Sequence, residues 1–241
     1  MKKKILIVLM TFILFSMSGC KKNNDELVMV TEAGFAPYEY YYRGEIIGVD
    51  VEIAKEIAAY MNKKLVIKDV EFGAIIDELK SNKADFAAAG MSITEERKKQ
   101  VDFTIEYTSS KQVVVVKKDS DIKDIDEIKD KRISVQLGTV ADSYVTENYK
   151  NAKVNRLKKF LIAAEDVKNN KSDCIVMDYI PAKKLVEKNP ELKIIDGILF
   201  EDKYGMAVKK GNKELLDNMN IVLNKLIEDG KIEEYTIKYS E

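Results

Sequence analysis

From residue 27 onward the chain alternates between short apolar runs and longer stretches whose apolar positions recur every three or four residues. "LVMVT" (27–31) predicts a strand, and so do "KLVIKDV" and "ADFAAAG". Between them "VDVEIAKEIAAYM" places Ile53, Ile57 and Met61 on one helical face, and "FGAIIDELKSN" predicts a second helix. "EAGFAPYEYYYRGEIIGVD", with Pro37 and glycines, predicts a loop and a short hairpin. The order β-α-β-α-β with short connections favours a parallel sheet covered by helices.

After the strand-like run "IEYTSSKQVVVVKK" the pattern restarts. "DIDEI" predicts a short helix. "RISVQ", "KVNRL", "DCIVMD" and "LKIID" predict strands, separated by helices in "TVADSYVTENY", "KKFLIAAEDVKNN" and "YIPAKKLVEKN". "YGMAVKK" predicts a last strand. A long amphipathic helix, "KELLDNMNIVLNKLIEDG", and a shorter one, "IEEYTIKY", follow it. No Gly/Ser-rich linker divides the two α/β units. Extended segments at 107–111 and 202–206 are placed to carry the chain across twice, with a ligand cleft between the lobes. The boundaries expected are 27–107 with 206–241 for the first lobe and 111–202 for the second.

Charge sharpens one place in this pattern. In "MSITEERKKQVDFT" Thr94 is a helix N-cap, and Glu95 and Glu96 occupy the first turn, where the helix dipole favours negative charge. Arg97 follows among the N-terminal positions, where the dipole disfavours a cation. A surface pair with Glu95 or Glu96 would explain it, and so would an anion site built with Gly90 and Ser92 just upstream; the local pattern alone leaves both open.

The N-terminus indicates a compartment. Lys2, Lys3 and Lys4 precede an apolar run from Ile5 to Phe15, too short to cross a bilayer, and "SMSGC" follows. Residues 1–19 are therefore expected to be a signal peptide. Cys20 resembles the lipidated cysteine of a lipobox, with Met17 where leucine is usual, and 20–26 suits a short tether. Loss of the three lysines takes the formal charge from −1 to −4. That charge gives no footprint for nucleic acid. The chain has no histidine, and Cys174 is its one cysteine besides Cys20. Histidine-based catalysis and His/Cys metal sites are thereby excluded, no cofactor is expected, and Cys174 in an apolar strand is expected to be a core residue.

"FAPYEY", "GVDVEIAKEIAAYM", "FGAIIDELKSNKADFAAAGMSITEERKKQVDFT" and "YGMAVKKGN" together resemble the polar amino-acid-binding proteins of ABC importers, solute-binding family 3. The resemblance spans nearly the whole chain after Cys20. It implies an α/β fold of the periplasmic binding protein-like II kind: two lobes joined by two crossing strands. It implies that Arg97 binds the ligand α-carboxylate, with Ala89, Gly90 and Ser92 beside it and the N–H groups of Thr139 and Val140 from the second lobe. Independently, Gly138 is read as a tight turn that leaves free N–H groups at a helix start. The resemblance further implies that Asp178 holds the ammonium, that Phe35 and Phe72 form aromatic walls, and that Gln136 and Glu32 lie at the side-chain end. Glu32 favours a cationic side chain. Tyr40, Tyr41 and Tyr42 receive no ligand role. The function implied is capture of a polar amino acid by a monomeric, membrane-anchored lipoprotein and its delivery to permease and ATPase subunits of an importer. The alternative on the same fold is an enzyme such as a cyclohexadienyl dehydratase.

Overall fold

The computed structural model describes residues 25–240; the expected signal peptide and Cys20 lie outside the described residues. Strand β1 (Glu26–Thr31) leads into a small sheet of β2 (Gly34–Phe35), β3 (Glu39–Tyr42) and β4 (Glu45–Ile47). Helix α1 (Val49–Tyr60) and β5 (Lys64–Asp69) follow. A 3-10 turn over Phe72–Ala74 runs into α2 (Ile75–Lys80), then come β6 (Phe86–Ala87), α3 (Glu95–Lys98) and β7 (Val101–Phe103). Strand β8 (Thr108–Lys117) leaves this unit. The next stretch holds a 3-10 turn (Ile125–Ile128), β9 (Arg132–Gln136), α4 (Val140–Asn148), β10 (Lys153–Leu157), α5 (Phe160–Lys168), β11 (Cys174–Asp178), α6 (Tyr179–Lys188), β12 (Leu192–Ile194) and β13 (Phe200–Tyr204). The chain then returns as β14 (Ala207–Lys209), α7 (Lys213–Glu228) and α8 (Lys231–Ser240).

Two main sheets result. The first has the order β5-β1-β6-β14-β7, with β5, β1 and β6 parallel and β14 antiparallel to β6 and β7. The second has the order β10-β9-β11-β8-β12, with β13 also on β8. Each sheet is covered on both faces, so its central strands carry apolar runs such as "LVMV" in β1, "VVVV" in β8 and "CIVM" in β11. In β1, Leu27 and Met29 face α1 and α7, whereas Val30 faces α2 with Ile75, Leu79 and Ala207. Across the second sheet, Val114, Val116, Ile133, Val135 and Cys174 pack with Val145 of α4. The free thiol of Cys174 is fully buried there and serves as a small apolar side chain.

Strand β8 is the longest and serves both units. Its first half pairs antiparallel with β13, Thr108 opposite Tyr204 and Gln112 opposite Phe200. Its second half lies between β11 and β12. The two segments read as crossings therefore pair with each other. Short strands were the part the pattern did not disclose. β7 has three residues with Asp102 in the middle, and only its partner β14 makes it a strand. The helix expected from Phe72 begins as a 3-10 turn around Gly73.

Helix α1 starts where two loop carbonyls take its first amides: Val49 N–H donates to Pro37 O at 3.0 Å and Asp50 N–H to Tyr38 O at 3.0 Å. This tight docking leaves no room at Gly48, with φ at 135°, where an added Cβ would lie 2.2 Å from Tyr38 O. Gly44 also has positive φ, 87°, but a Cβ there meets open space. The two substitutions separate backbone strain from collision. Gly44→Ala is expected to cost about 1 kcal/mol in urea unfolding, and Gly48→Ala about 3 kcal/mol or more. Equal losses would show that the Pro37–Tyr38 carbonyls do not constrain α1.

Candidate binding site

The loop after β6 turns at Gly90, in the left-handed region with φ 52°. Its N–H donates to Asp50 Oδ2 at 2.9 Å, so the first turn of α1 pins the turn. The missing Cβ makes way for a ring: it would lie 2.6 Å from Phe35 Cε1. Glycine is required there by the positive φ and by the packing of Phe35. Thr94 caps α3 by accepting from the Arg97 N–H at 3.2 Å, as its position before Glu95 predicts. Glu95 pairs with Lys98 on the surface, and Arg97 turns inward instead.

The Arg97 guanidinium is buried. It donates to Ser92 O at 2.6 Å and, from the other lobe, to Gly138 O at 2.9 Å, and it stands 5.4 Å from the centre of the Phe72 ring. Burial lowers its pKa to about 10, partly offset by Asp202 and Asp178, so it stays charged at neutral pH. Carbonyl oxygens neutralise only part of that charge. Gly138 itself turns with φ 80°, which opens α4. The Thr139 N–H, expected to be free, lies 3.3 Å from Gln136 O, a long bond, while the Thr139 hydroxyl accepts from Asp142 N–H. No acceptor is recorded for the Val140 N–H among the described residues.

Asp178 ends β11 at the start of α6. It has the backbone of an N-cap but makes no capping bond with its side chain. One oxygen, Oδ1, instead receives the Ser110 hydroxyl at 2.6 Å, the Gln112 amide at 2.7 Å and the Tyr204 hydroxyl. Gln112 also reaches Asp202 Oδ2 at 3.2 Å, and the Ser92 hydroxyl donates to the same oxygen at 3.1 Å. Ser92, expected beside a bound carboxylate, thus faces Asp202 in this structure. Burial and the neighbouring Asp202 push Asp178 up, against the three donors. Asp202 was not foreseen from the sequence.

The third group lies at the end of β1. Glu32 is buried, takes the Gln136 amide at 3.1 Å and pairs with Lys159 at 3.2 Å; burial still raises its pKa. Phe35 stacks on Phe160 of α5, centroids 5.8 Å apart, and Phe72 faces Arg97. Phe35 and Phe72, expected as aromatic walls, both line the cavity, and Phe160 joins them there by stacking on Phe35. Glu39 is fully buried nearby. Tyr41 and Tyr42 are exposed, as their lack of a role implies.

These groups surround one small cavity, with about 10 Å³ free to water-sized molecules within about 320 Å³ of space between atoms that includes open solvent. Glu32, Phe35, Phe72, Ala89, Gly90, Ser92 and Arg97 line it from the first lobe, and Gln136, Thr139, Val140 and Asp178 from the second. Glu39 and Phe160 complete the lining and were missed. Alternation would have exposed Glu39 in "YEYYY", and Phe160 reads as an ordinary helix residue. The cavity carries one cation, Arg97, against the carboxyl groups of Glu32, Glu39 and Asp178. Among the described residues no group of three or more acidic or cysteine side chains is arranged to hold a metal.

The model of bacterial extracellular solute-binding proteins, family 3, matches residues 27–241. The arginine-binding extracellular protein ArtP of Bacillus subtilis (strain 168) is 29% identical over 253 residues, 99% of this chain and 98% of its own. A variant of ArgBP from T. maritima superposes with a TM-score of 0.86 at 38% identity, covering 89% of this chain and 95% of its own. The substrate-binding protein AbpA of Streptococcus pneumoniae, bound to L-arginine, gives 0.86 at 29% identity over 90% and 94%. The two sheet-bearing lobes, the doubled crossing and the cavity between them are the type II periplasmic binding protein fold, and the chain belongs to the bacterial extracellular solute-binding proteins, family 3.

Proposed function

We propose that the protein captures a cationic amino acid, arginine foremost, outside the cytoplasm and delivers it to the permease of an ABC importer. The observation that carries the choice of ligand is the charge of the cavity: one guanidinium against three buried carboxyl groups. A zwitterion uses Arg97 for its carboxylate and Asp178 for its ammonium, which leaves Glu32 and Glu39 for the distal end. An aspartate or glutamate side chain would bring a further negative charge toward those acids. Phe35 and Phe160 present flat faces that suit an aliphatic stem or a guanidinium plane. ArtP, an arginine-binding protein, and AbpA, a substrate-binding protein bound to L-arginine, support the same class and a binding role rather than catalysis.

Arg97 and Asp178 belong to different lobes, so a single ligand backbone bridges the cleft. Closure about the β8–β13 crossing then gains only what the ligand contributes to the closed state. Charge-assisted bonds from a guanidinium to a carboxylate are worth roughly 1.5–3 kcal/mol each. Cys20, at the end of the leader, would carry the lipid that holds the protein at the outer face of the membrane.

A thermal-shift screen of the twenty amino acids with ornithine should place arginine first and other cations next; glutamate or aspartate in first place would overturn the ligand class. Arg97→Ala and Asp178→Asn should each lose about 10²-fold or more in arginine affinity by calorimetry, because one buried charge is left unpaired at a cost of about 3–5 kcal/mol. Arg97→Ala binding within about threefold of wild type would put the carboxylate elsewhere. Mass spectrometry of membrane-fraction protein should find a diacylglyceryl group on an N-terminal Cys20; a product with Cys20 unmodified rules out the anchor.

A further inference from the structure

Glu39 is fully buried, lines the cavity, and receives no N–H or O–H on either carboxyl oxygen among the described residues. After burial, the strongest influence on its carboxyl is another buried acid, Asp50 in the first turn of α1. Asp50 is already supplied with donors: Gly90 N–H at 2.9 Å on one oxygen and the Tyr107 hydroxyl at 2.7 Å on the other. Neighbouring buried carboxyl groups resist ionising together, so one of the two keeps a proton. Donors stabilise the charged form of Asp50, and Glu39 has none, so the proton resides on Glu39.

The charged and titratable groups facing Glu39 come from every side. They are Asp50 from α1, Glu32 from the end of β1, Asp178 from the end of β11, Tyr38 from its own loop and Tyr107 before β8. None is a cation. Of the basic side chains around the cavity, Lys159 is engaged by Glu32, and Arg97 donates to Ser92 O and Gly138 O. Burial first, then Asp50 and Glu32, push the Glu39 carboxyl well above the ordinary glutamate range, and Asp50 rises to about 6. A purely structural acid pair would fix the start of α1 and need no opening to the cavity. Glu39 lines the cavity together with Glu32, Phe35 and Phe160.

We propose that capture of a cationic ligand is a proton exchange at Glu39. In the empty cleft Glu39 holds a proton. When a cationic side chain enters, the Glu39 O–H bond breaks, the proton passes to water or buffer, and the carboxylate accepts from an N–H of the ligand. One positive charge enters as one leaves, so no net charge is buried. A neutral side chain has nothing to exchange and leaves Glu39 protonated. The cleft thereby discriminates by charge without carrying a standing unpaired carboxylate. Affinity for the cation rises with pH, by at most tenfold per unit for one proton released. This inference rests on the reading of the ligand as a cationic amino acid.

Calorimetric titration with L-arginine at pH 7 in phosphate and in Tris, whose ionisation enthalpies differ, counts the protons released. The wild type is expected to release about one more than Glu39→Gln, because the proton exchanged at Asp178 for the ammonium is common to both. In wild-type protein with 13C-labelled glutamate, the Glu39 carboxyl carbon should shift from its protonated to its ionised position when arginine is added. That second measurement needs no variant to fold. Arginine binding with equal proton counts, or with an unmoved Glu39 signal, overturns the exchange and leaves the proposed function standing. No heat with arginine in either buffer overturns the ligand reading itself.

Discussion

The pairing of β8 with β13 is the constraint on which the site depends. Side chains alternate along a strand, so Ser110 and Gln112 share a face of β8, and Asp202 and Tyr204 share one of β13. The register sets Ser110 opposite Asp202, and the neighbouring ladder sets Gln112 opposite Asp178 of β11. The two antiparallel ladders on β8 therefore gather two hydroxyls, an amide and two acids at the place where the chain passes between lobes. A slip of one residue would turn all of them away together. The donors converging on Asp178 follow from this register, and so does the Ser92–Asp202 bond that ties the loop after β6 to the crossing.

The sequence disclosed the parts of this arrangement that local rules govern. Thr94 caps α3 because a hydroxyl before two glutamates is a local signal, and β1, α1, β11 and α7 carry clear periodicity. The roles offered for Arg97 and Asp178 came from the resemblance to a family; spacing alone left Arg97 open to a surface pair with Glu95. Glu39 and Asp202 were invisible for a shared reason. Each sits in a short polar strand, and its burial is decided by residues distant in sequence: Asp50 for one, Ser92 and Gln112 for the other. Phe160 was missed for a similar reason, since it reaches Phe35 only through the meeting of the two lobes.

Burying so many acids works against the fold. Asp50, at 3.8 in an unfolded chain, rises to about 6, and Glu39 and Asp178 move in the same direction. A raised carboxyl favours the folded state most below its unfolded value and loses that contribution as pH rises through the folded value. For Asp50 that window runs from about pH 4 to 6, so at neutral pH the empty cleft has already forfeited the benefit. Arg97 compensates only in part, because its two donors face carbonyls and not carboxylates.

On the proposed function, a cationic amino acid would reverse this balance at both ends. Its carboxylate would offer Arg97 an anion, its ammonium would meet Asp178, and its side-chain cation would give Glu32 and Glu39 an opposite charge. These groups belong to two lobes joined through β8 and β13, so the electrostatic cost of burying them would be relieved only when both lobes contact the same molecule. Recognition of such a ligand and closure over it would then be, in physical terms, one event.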